Sequence, residues 1–188
     1  MKARPRSVRI IGGDWRGRRL PIPSGTEVRP TPDRVRETLF NWIGGCLSDA
    51  RCLDLYAGTG ALGLEALSRG ARAVFFLERD PRLAAMLEKR IAEFGADAQV
   101  MCDGVEEVLA QATGIRFDVV FLDPPYEAPL EPILELLPGW LAPGAQIYVE
   151  RSDNGANTLS NLADALPAAI LSKESRAGRV RYGLLETP

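Results

Sequence analysis

Two stretches of the chain contain residue types that could do chemistry at one site. The first, residues 52–63, is a short apolar run that leads into a cluster of glycines. The second, residues 123–126, reads Asp-Pro-Pro-Tyr and follows the apolar run 117–122. Nearly unbroken apolar runs of this length are typical of strands buried on both faces of a parallel sheet. Since ligands bind at the carboxyl ends of such strands, both stretches are predicted to lie at one sheet edge.

The glycines of the first stretch predict a tight turn in which the backbone approaches a ligand closely. Gly58, Gly60 and Gly63 match the dinucleotide pattern G-x-G-x-x-G. Asp54 precedes them, and a carboxylate there would repel a pyrophosphate but suit a ligand that carries an ammonium group. S-adenosylmethionine (SAM) carries an ammonium and a sulfonium. We therefore expect Asp54, Gly58 and Gly60 to bind SAM; a plain strand-to-helix turn and a dinucleotide site are the alternatives.

Acidic residues follow the next two predicted strands. Glu78 stands at the tip of the second strand, where a carboxylate can accept hydrogen bonds from ribose hydroxyls. Both NAD and SAM contain such a ribose, so Glu78 does not discriminate between them. Asp103 and Gly104 follow the third strand, where a carboxylate could receive an adenine amino group and a backbone N–H could reach a ring nitrogen. A helix N-cap is an equally good interpretation of Asp103.

The Asp-Pro-Pro-Tyr stretch predicts a stiff loop that receives an amino group. The Asp123 carboxylate and the Pro124 carbonyl can accept hydrogen bonds from an exocyclic NH₂, and Tyr126 can stack on the base that carries it. The alternative is a rigid turn with Tyr126 in the core. The chain contains no histidine, which removes the commonest general base and excludes Ser-His and Cys-His nucleophile pairs. Methyl transfer from a sulfonium to an amine nitrogen needs no strong base.

The elements that must position these residues alternate between strands and helices, which indicates an α/β, Rossmann-like fold with a mostly parallel sheet. Thr31 is predicted to cap a helix whose first residue is Pro32, and Arg36 in that helix is expected to face either a ligand or solvent. The segments 168–171 and 180–185 are predicted to close the sheet as an antiparallel pair. We expect residues 1–28 to form a small N-terminal β-hairpin extension and residues 29–188 to form the main domain.

Charge is distributed unevenly along the chain. The net charge is −2, but residues 1–36 contain ten Lys or Arg against three acids, so that segment carries +7 and the remainder −9. This asymmetry indicates an anionic partner held by the N-terminal end. The residues expected to contact nucleic acid are Arg9, Trp15, Arg16, Arg18, Arg19 and Arg34. The alternative is a charged, solvated edge that prevents aggregation. Gly178, with Arg176, Arg179 and Arg181, is a candidate for a second phosphate-facing loop.

Composition bounds the class of protein. A chain of 188 residues that is 46% hydrophobic and 26% charged is expected to be one soluble domain with a small appendage. No apolar run is long enough to span a membrane, and the basic N-terminus lacks the apolar core of a signal peptide. Cys46, Cys52 and Cys102 are expected to be reduced core thiols of a cytoplasmic protein, with no metal site. A monomer is expected.

Several motifs together resemble the bacterial small-subunit ribosomal RNA guanine-N2 methyltransferases, over nearly the whole chain. The residues that carry the resemblance are Arg9-Ile10-Ile11-Gly12-Gly13, Trp15-Arg16-Gly17-Arg18, Arg29-Pro30-Thr31, the run from Asp33 to Phe40, Asp54 with Gly58-Thr59-Gly60, and Asp123-Pro124-Pro125-Tyr126. The last motif alone is shared by DNA and RNA amino-methyltransferases, and the N-terminal segment narrows the resemblance to ribosomal RNA.

The resemblance implies a class I SAM-dependent methyltransferase fold with a seven-stranded sheet. It implies that Asp54, Gly58, Gly60, Glu78 and Asp103 hold SAM and that the substrate is one guanine of 16S rRNA, on an assembled or assembling small subunit. Tyr126 would stack on that guanine, while Asp123 and Pro124 hold its amino protons. The competing hypotheses are an amino-methyltransferase of DNA adenine N6 or tRNA, and a non-catalytic RNA-binding assembly factor; a dinucleotide oxidoreductase is a more distant one.

Overall fold

A seven-stranded sheet organises the molecule. The computed structural model describes residues 6–26, 31–111, 114–125, 128–153, 159–166 and 168–188. The strands are β1 (Ser7–Arg9), β2 (Arg19–Pro21), β3 (Arg51–Asp54), β4 (Ala73–Leu77), β5 (Ala98–Met101), β6 (Phe117–Leu122), β7 (Leu141–Ser152), β8 (Ile170–Ala177) and β9 (Val180–Glu186). The helices are α1 (Asp33–Ile43), α2 (Ala61–Ser68), α3 (Pro81–Phe94), α4 (Val105–Leu109), α5 (Glu131–Leu136) and α6 (Ser160–Ala165), with 3₁₀ turns at Gly44–Leu47 and Leu137–Trp140.

The strand order of the large sheet is β5-β4-β3-β6-β7-β9-β8, and β1 and β2 form a separate antiparallel hairpin. Strands β3 to β7 are mutually parallel, while β9 runs antiparallel to both of its neighbours. The α/β fold with an antiparallel C-terminal strand is therefore confirmed. The carboxyl ends of β3 to β7 meet at one edge, here called the carboxyl edge, and the opposite one is the amino edge. Loops that follow β3, β4, β5 and β6 all lie at the carboxyl edge.

Two apolar layers cover the sheet. One layer contains α1, α2, α3 and the N-terminal hairpin, and the other contains α4, α5 and α6. The central strand β6 has apolar residues in both layers, Val119 and Phe121 in the first and Val120 and Leu122 in the second. A strand buried on both faces reads as the continuous apolar run that the sequence shows.

A buried ion pair fastens the N-terminal hairpin to the first layer. Glu65 on α2 is completely buried and accepts hydrogen bonds from the backbone N–H groups of Ile11 and Gly12, each at 2.7 Å. Arg36 on α1, also completely buried, places Nη1 3.4 Å from Glu65 Oε2 and donates Nη2 to the Arg9 carbonyl at 2.8 Å. We call Arg36 and Glu65 the buried clamp. The expectation that Arg36 faces a ligand or solvent was wrong.

Other details of the sequence interpretation also need correction. Pro32 is the N-cap of α1 and no side chain caps that helix, because the Thr31 hydroxyl is bonded to another residue. Cys52 is buried as expected, but Cys46 and Cys102 are exposed, since each lies in a connection rather than in the core.

Among the described residues, no helix is both long and apolar enough to cross a membrane.

Candidate active site

The glycine turn between β3 and α2 forms the floor of the site. Gly58 and Gly60 have φ angles of 53° and 76°, in the left-handed region that glycine favours. A Cβ on Gly60 would lie 2.5 Å from Leu87 Cδ1. A Cβ on Gly63, in the first turn of α2, would lie 2.2 Å from a ring carbon of Phe76. The first two glycines therefore shape the turn, while Gly63 lets α2 pack closely on the sheet.

Asp54 lies beneath this turn and is only 3% exposed. Its Oδ2 accepts a hydrogen bond from the Gly63 backbone N–H at 3.0 Å. Burial raises the pKa of Asp54 to about 7; the Gly63 N–H opposes that shift, and the charges of Asp123 and Glu78 add to it. Among the described residues, no cation forms an ion pair with Asp54. This carboxylate is therefore suited to a positively charged ligand group.

Glu78 lies at the end of β4 beside the same turn. Its Oε2 accepts a hydrogen bond from the Gly58 N–H at 2.7 Å, and its Oε1 accepts one from the Asp80 N–H at 2.8 Å. Glu78 is half-buried, so it remains open to solvent at the carboxyl edge. A carboxylate oxygen can accept more than one hydrogen bond. Glu78 thus braces the glycine turn and retains acceptor capacity for a hydroxyl group.

Asp103 and Gly104 lie at the same edge, after β5. Asp103 is exposed, and its Oδ1 accepts a hydrogen bond from the Gly104 N–H at 2.8 Å. Gly104, not Asp103, is the N-cap of α4, and no side chain caps that helix. The N-cap interpretation of Asp103 was therefore wrong.

The Asp123 loop follows β6, the immediate neighbour of β3. Asp123 is half-buried, and its Oδ2 accepts a hydrogen bond from the Thr31 hydroxyl at 2.8 Å. Burial raises the pKa of Asp123 to about 6, although the Thr31 hydrogen bond lowers it. Pro124 is buried and Pro125 is exposed. Tyr126 lies outside the described residues.

A third acidic side chain, Glu150 near the end of β7, stands next to this loop. It is 3% exposed and accepts a hydrogen bond from the Tyr148 hydroxyl at 2.7 Å. Burial raises the pKa of Glu150 to about 8; the charge of Asp123 adds to the shift and the Tyr148 hydrogen bond opposes it. Asp54, Asp123 and Glu150 thus belong to three neighbouring strands, β3, β6 and β7. This edge of the sheet therefore concentrates three acidic side chains whose pKa values are raised by burial.

These residues fit SAM. The ammonium of SAM would pair with the Asp54 carboxylate, and its ribose hydroxyls would donate to Glu78. Its adenine would lie against the Asp103-Gly104 segment. The positive φ angles of Gly58 and Gly60 bring backbone close to such a ligand without an intervening Cβ. Within the described ranges, no three His, Cys, Asp or Glu side chains are grouped to hold a metal ion.

The residues predicted to contact nucleic acid do not all lie near this edge. The Trp15 ring packs on Phe94 with ring centroids 4.7 Å apart, and the Arg18 guanidinium lies 4.5 Å from the same ring. Phe94 ends α3, which runs from the carboxyl edge back to the amino edge, so this part of the hairpin lies far from Asp123. Arg9 is closer, because its Nε bonds to Asp33 at the start of α1. The remaining predicted contacts are exposed: Arg16, Arg19 and Arg34.

Comparison with known proteins assigns the chain to a family. The family model described as Conserved hypothetical protein 95 matches residues 8–185. The chain is 46% identical to the ribosomal RNA small subunit methyltransferase D of Escherichia coli K12, over 95% of this chain and 89% of that protein. It is 43% identical to the Haemophilus influenzae protein of the same name, over 95% and 93%.

The chain belongs to the ribosomal RNA small subunit methyltransferase D family. The solved structure of the Escherichia coli protein yhhF covers 96% of this chain and 98% of its own, with a TM-score of 0.84 at 44% identity. The fold is also similar to that of the Thermus thermophilus 16S rRNA N2 G1207 methyltransferase in complex with AdoMet and guanosine. In that case the TM-score is 0.72 at 22% identity, over 98% of this chain and 50% of the other.

Two residues next to Asp123, Thr31 and Glu150, were not predicted from the sequence to belong to the site. Thr31 was interpreted only as a helix cap, and its partner lies 92 positions away in the chain. Glu150 was not singled out, although it directly follows the apolar run of β7 at the same level as Asp123. An acid at the carboxyl end of a buried strand was the signal available, since the same pattern identified Asp54 and Glu78.

Proposed function

We propose that this chain transfers a methyl group from SAM to the exocyclic N2 amine of a guanine in 16S rRNA, on the assembled or assembling small subunit. The observation that carries the proposal is the meeting of the glycine turn after β3 with the Asp123 loop after β6, on adjacent strands at one sheet edge. A cofactor site and an amine-accepting loop are thereby neighbours, as direct transfer requires.

Asp54, Glu78 and the turn at Gly58 and Gly60 hold the cofactor. When bound, SAM supplies a methyl group on a positively charged sulfur. Asp54 attracts the ammonium through its buried charge, while Glu78 accepts from the ribose and Asp103 from the adenine amino group, with the Gly104 N–H beside it.

Asp123 and Pro124 orient the acceptor. The Asp123 carboxylate and the Pro124 carbonyl accept the two amino protons of the guanine, which draws the nitrogen lone pair out of conjugation and toward the methyl group. Tyr126 stacks on the guanine. With its pKa at about 6, Asp123 is mostly ionised at pH 7 and can accept these hydrogen bonds. One amino proton leaves to Asp123 or to water, so positioning and electrostatics supply most of the catalysis.

The N-terminal extension, residues 1–28, contacts the RNA in this proposal. Arg16 and Arg19 are exposed, and Arg9 and Arg34 lie near the start of α1. Trp15 and Arg18 pack on Phe94, so they support the extension while their outer edges face solvent. Replacing the exposed Arg16 and Arg19 by Glu in the full-length chain should weaken RNA binding and flatten its salt dependence, because phosphate contacts release counterions. The site of action would be the cytoplasm, where small subunits are assembled.

Methyl transfer from labelled SAM tests the proposal. The acceptors are unmodified small subunits, naked 16S rRNA, tRNA and DNA, each digested to nucleosides after reaction. We expect N2-methylguanosine from a ribosomal acceptor. Label in adenine, DNA or tRNA would replace the proposal with a different amino-methyltransferase. Bound SAM with no label in any acceptor would favour a non-catalytic assembly factor.

A further inference from the structure

Three arginines lie side by side in the C-terminal part of the sheet. Arg151 on β7 pairs directly with Arg181 on β9, and Arg181 pairs directly with Arg176 on β8. Directly paired residues of neighbouring strands point to the same face, and their strands are about 4.8 Å apart. Like charges in this arrangement destabilise a sheet.

The row stands above the carboxyl edge, beside the Asp123 loop. The last residue of β6, Leu122, pairs with Val149, but β7 continues for three more residues to Ser152, a rise of about 10 Å. Arg151 lies in that extension. Its Nη1 is 3.9 Å from Oε1 of Glu131, the first residue of α5, which begins where the Asp123 loop ends. The arginines thus border the proposed acceptor site.

The buried side chain of Asp153 holds two of these arginines, Arg176 and Arg181, in place. The side chain of Asp153 is 1% exposed; its Oδ2 lies 2.5 Å from Arg176 Nε and its Oδ1 lies 3.6 Å from Arg181 Nη2. The Asp153 N–H also donates to the Arg179 carbonyl at 2.8 Å, which closes the base of the β8–β9 turn. Glu174 pairs with Arg181 at 2.9 Å. These contacts fix the arginines, yet 64% of the Arg176 side chain remains exposed.

Arg179 occupies the tip of the turn, next to Gly178, whose φ of 61° makes the turn tight. It is exposed, and within the part of the chain that the structure describes no hydrogen bond or ion pair engages its side chain. Arg176 and Arg179 therefore present two guanidinium groups to solvent, on a turn whose base is held by Asp153.

We propose that Arg151, Arg176, Arg179 and Arg181, here called the arginine row, bind the phosphates of the RNA strand next to the methylated nucleotide. The inference rests on the proposed function and adds a second RNA contact to the N-terminal extension. Arg176 and Arg179 make the contacts, while the more covered Arg151 and Arg181 are paired with acids and hold the turn in place. Guanidinium groups bind phosphate oxygens in bidentate geometry. Swinging a base out of its stack costs a few kcal/mol, and contacts with the adjoining backbone would help to meet that cost.

The test uses the full-length variant Arg179→Glu and the double variant Arg176→Gln/Arg179→Gln. Initial rates of methyl transfer to unmodified small subunits are measured at several salt concentrations. We expect KM for the subunit to rise at least fivefold in Arg179→Glu, with kcat changed less than twofold. In the double variant, the slope of log(kcat/KM) against log[salt] should become shallower by about 0.7–1.4, which corresponds to the loss of one or two phosphate contacts on a single strand.

Arg72→Glu is the matched control, because Arg72 is exposed and precedes β4 at the amino edge, where the same charge change should leave KM unaltered. Binding to naked 16S rRNA is measured in parallel. An unchanged KM and salt slope in both variants would overturn the inference, as would equal effects of Arg72→Glu. Weakened subunit binding with unaltered rRNA binding would instead point to a protein contact and also overturn it. If the wild-type chain transfers no methyl group to RNA, the proposed function fails, and the rRNA-binding measurement alone decides the inference.

Discussion

Asp54 and Glu65 are two buried acids, eleven positions apart in the chain, that lie in opposite kinds of surroundings. Glu65 accepts four hydrogen bonds, from the backbone N–H groups of Ile11 and Gly12 and from the guanidinium groups of Arg36 and Arg69. Asp54 accepts one, from the Gly63 backbone N–H, within the described residues. Both side chains are buried: Glu65 is 0% exposed and Asp54 is 3% exposed.

The difference separates a structural acid from a functional one. A buried charge is stable when cations and donors surround it and costly when they do not. Glu65 meets that requirement within the chain itself. Asp54 does not, and its pKa is raised to about 7 by burial. The carboxyl edge therefore carries negative charge that a bound cation would satisfy, whereas the buried clamp already has its partners and serves to join the hairpin to the domain.

The largest expected effect comes from Asp123→Ala, which removes an acid of the functional kind. Methyl transfer should fall by about 10²–10⁴-fold, because a positioned acceptor of the amino protons is lost. SAM affinity should change less than about threefold, since Asp123 is assigned to the acceptor. Stability should fall by about 1–3 kcal/mol at most, since the buried Thr31 hydroxyl loses its acceptor while a poorly solvated charge is removed. Labelled-SAM transfer, SAM titration and thermal melting measure the three quantities.

Asp118→Ala is the control for this experiment, because Asp118 lies on the same strand but at its other end, where it accepts from the Arg51 backbone N–H. Retained transfer in Asp123→Ala would remove Asp123 from the mechanism.

Glu65→Gln should break the clamp and reduce stability. The substitution removes one acidic partner of the buried Arg36, which keeps its ion pair with Asp33 at 2.7 Å. The free energy of unfolding should therefore fall by about 3 kcal/mol, the lower end of the range for a broken buried pair. The new amide NH₂ would also face one of the two N–H donors, Ile11 or Gly12. Urea unfolding measures the change, with Glu93→Gln as control because Glu93 forms only an exposed pair with Lys89. Equal stabilities of the two variants would contradict the structural role of Glu65.

Thr31 joins the two regions, and substituting it should give a smaller effect. Its hydroxyl donates to Asp123 and its carbonyl accepts from Arg36 of the clamp. Thr31→Val keeps the shape but loses the donor that orients Asp123 and lowers its pKa. Because small misplacement of a catalytic group is costly, kcat should fall about ten- to a hundredfold. Thr31→Ser restores the hydroxyl and should restore kcat. Equal loss in the serine and valine variants would mean that the methyl group, not the hydroxyl, matters.

The smallest expected effect is the pH dependence of SAM affinity. The pKa of free Asp54 is about 7, so below that pH the carboxyl is protonated and offers no charge to the ammonium. Affinity should therefore fall roughly five- to tenfold between pH 7.5 and pH 6, since only the ionised form binds well. Titrations at each pH measure this, and Asp54→Asn should show weaker, flatter binding. A wild-type curve as flat as that of the variant would remove Asp54 from ammonium recognition.

Features that depend on local pattern were predictable from the sequence. The apolar runs of β3, β4 and β6 specified strands buried on both faces, and the turn at Gly58 and Gly60 needed only the conformational freedom of glycine. Parallel strands then required their carboxyl ends to meet. The fold and the shared edge of the site follow from these facts.

Features that depend on pairing between distant segments were not predictable in the same way. Arg36 and Glu65 are 29 positions apart, and Thr31 and Asp123 are 92 apart. Even so, a signal for the clamp existed. Arg36 lies four residues before Phe40 on the apolar face of α1, and Glu65 lies among the apolar residues of α2. Opposite charges on two buried helix faces indicate an ion pair, although the sequence does not say that a hairpin closes over it.

Thermal melting of wild type, Asp54→Asn and Glu65→Gln at pH 8, with and without saturating SAM, tests the contrast between the two acids most directly. Without SAM, Asp54→Asn should melt at or above the wild-type temperature, because an uncompensated buried charge is gone, and SAM should raise its melting temperature little. Glu65→Gln should melt about 10 °C lower, yet keep the wild-type rise with SAM. If Asp54→Asn melts as low as Glu65→Gln and still responds fully to SAM, Asp54 is a structural acid and the account is wrong.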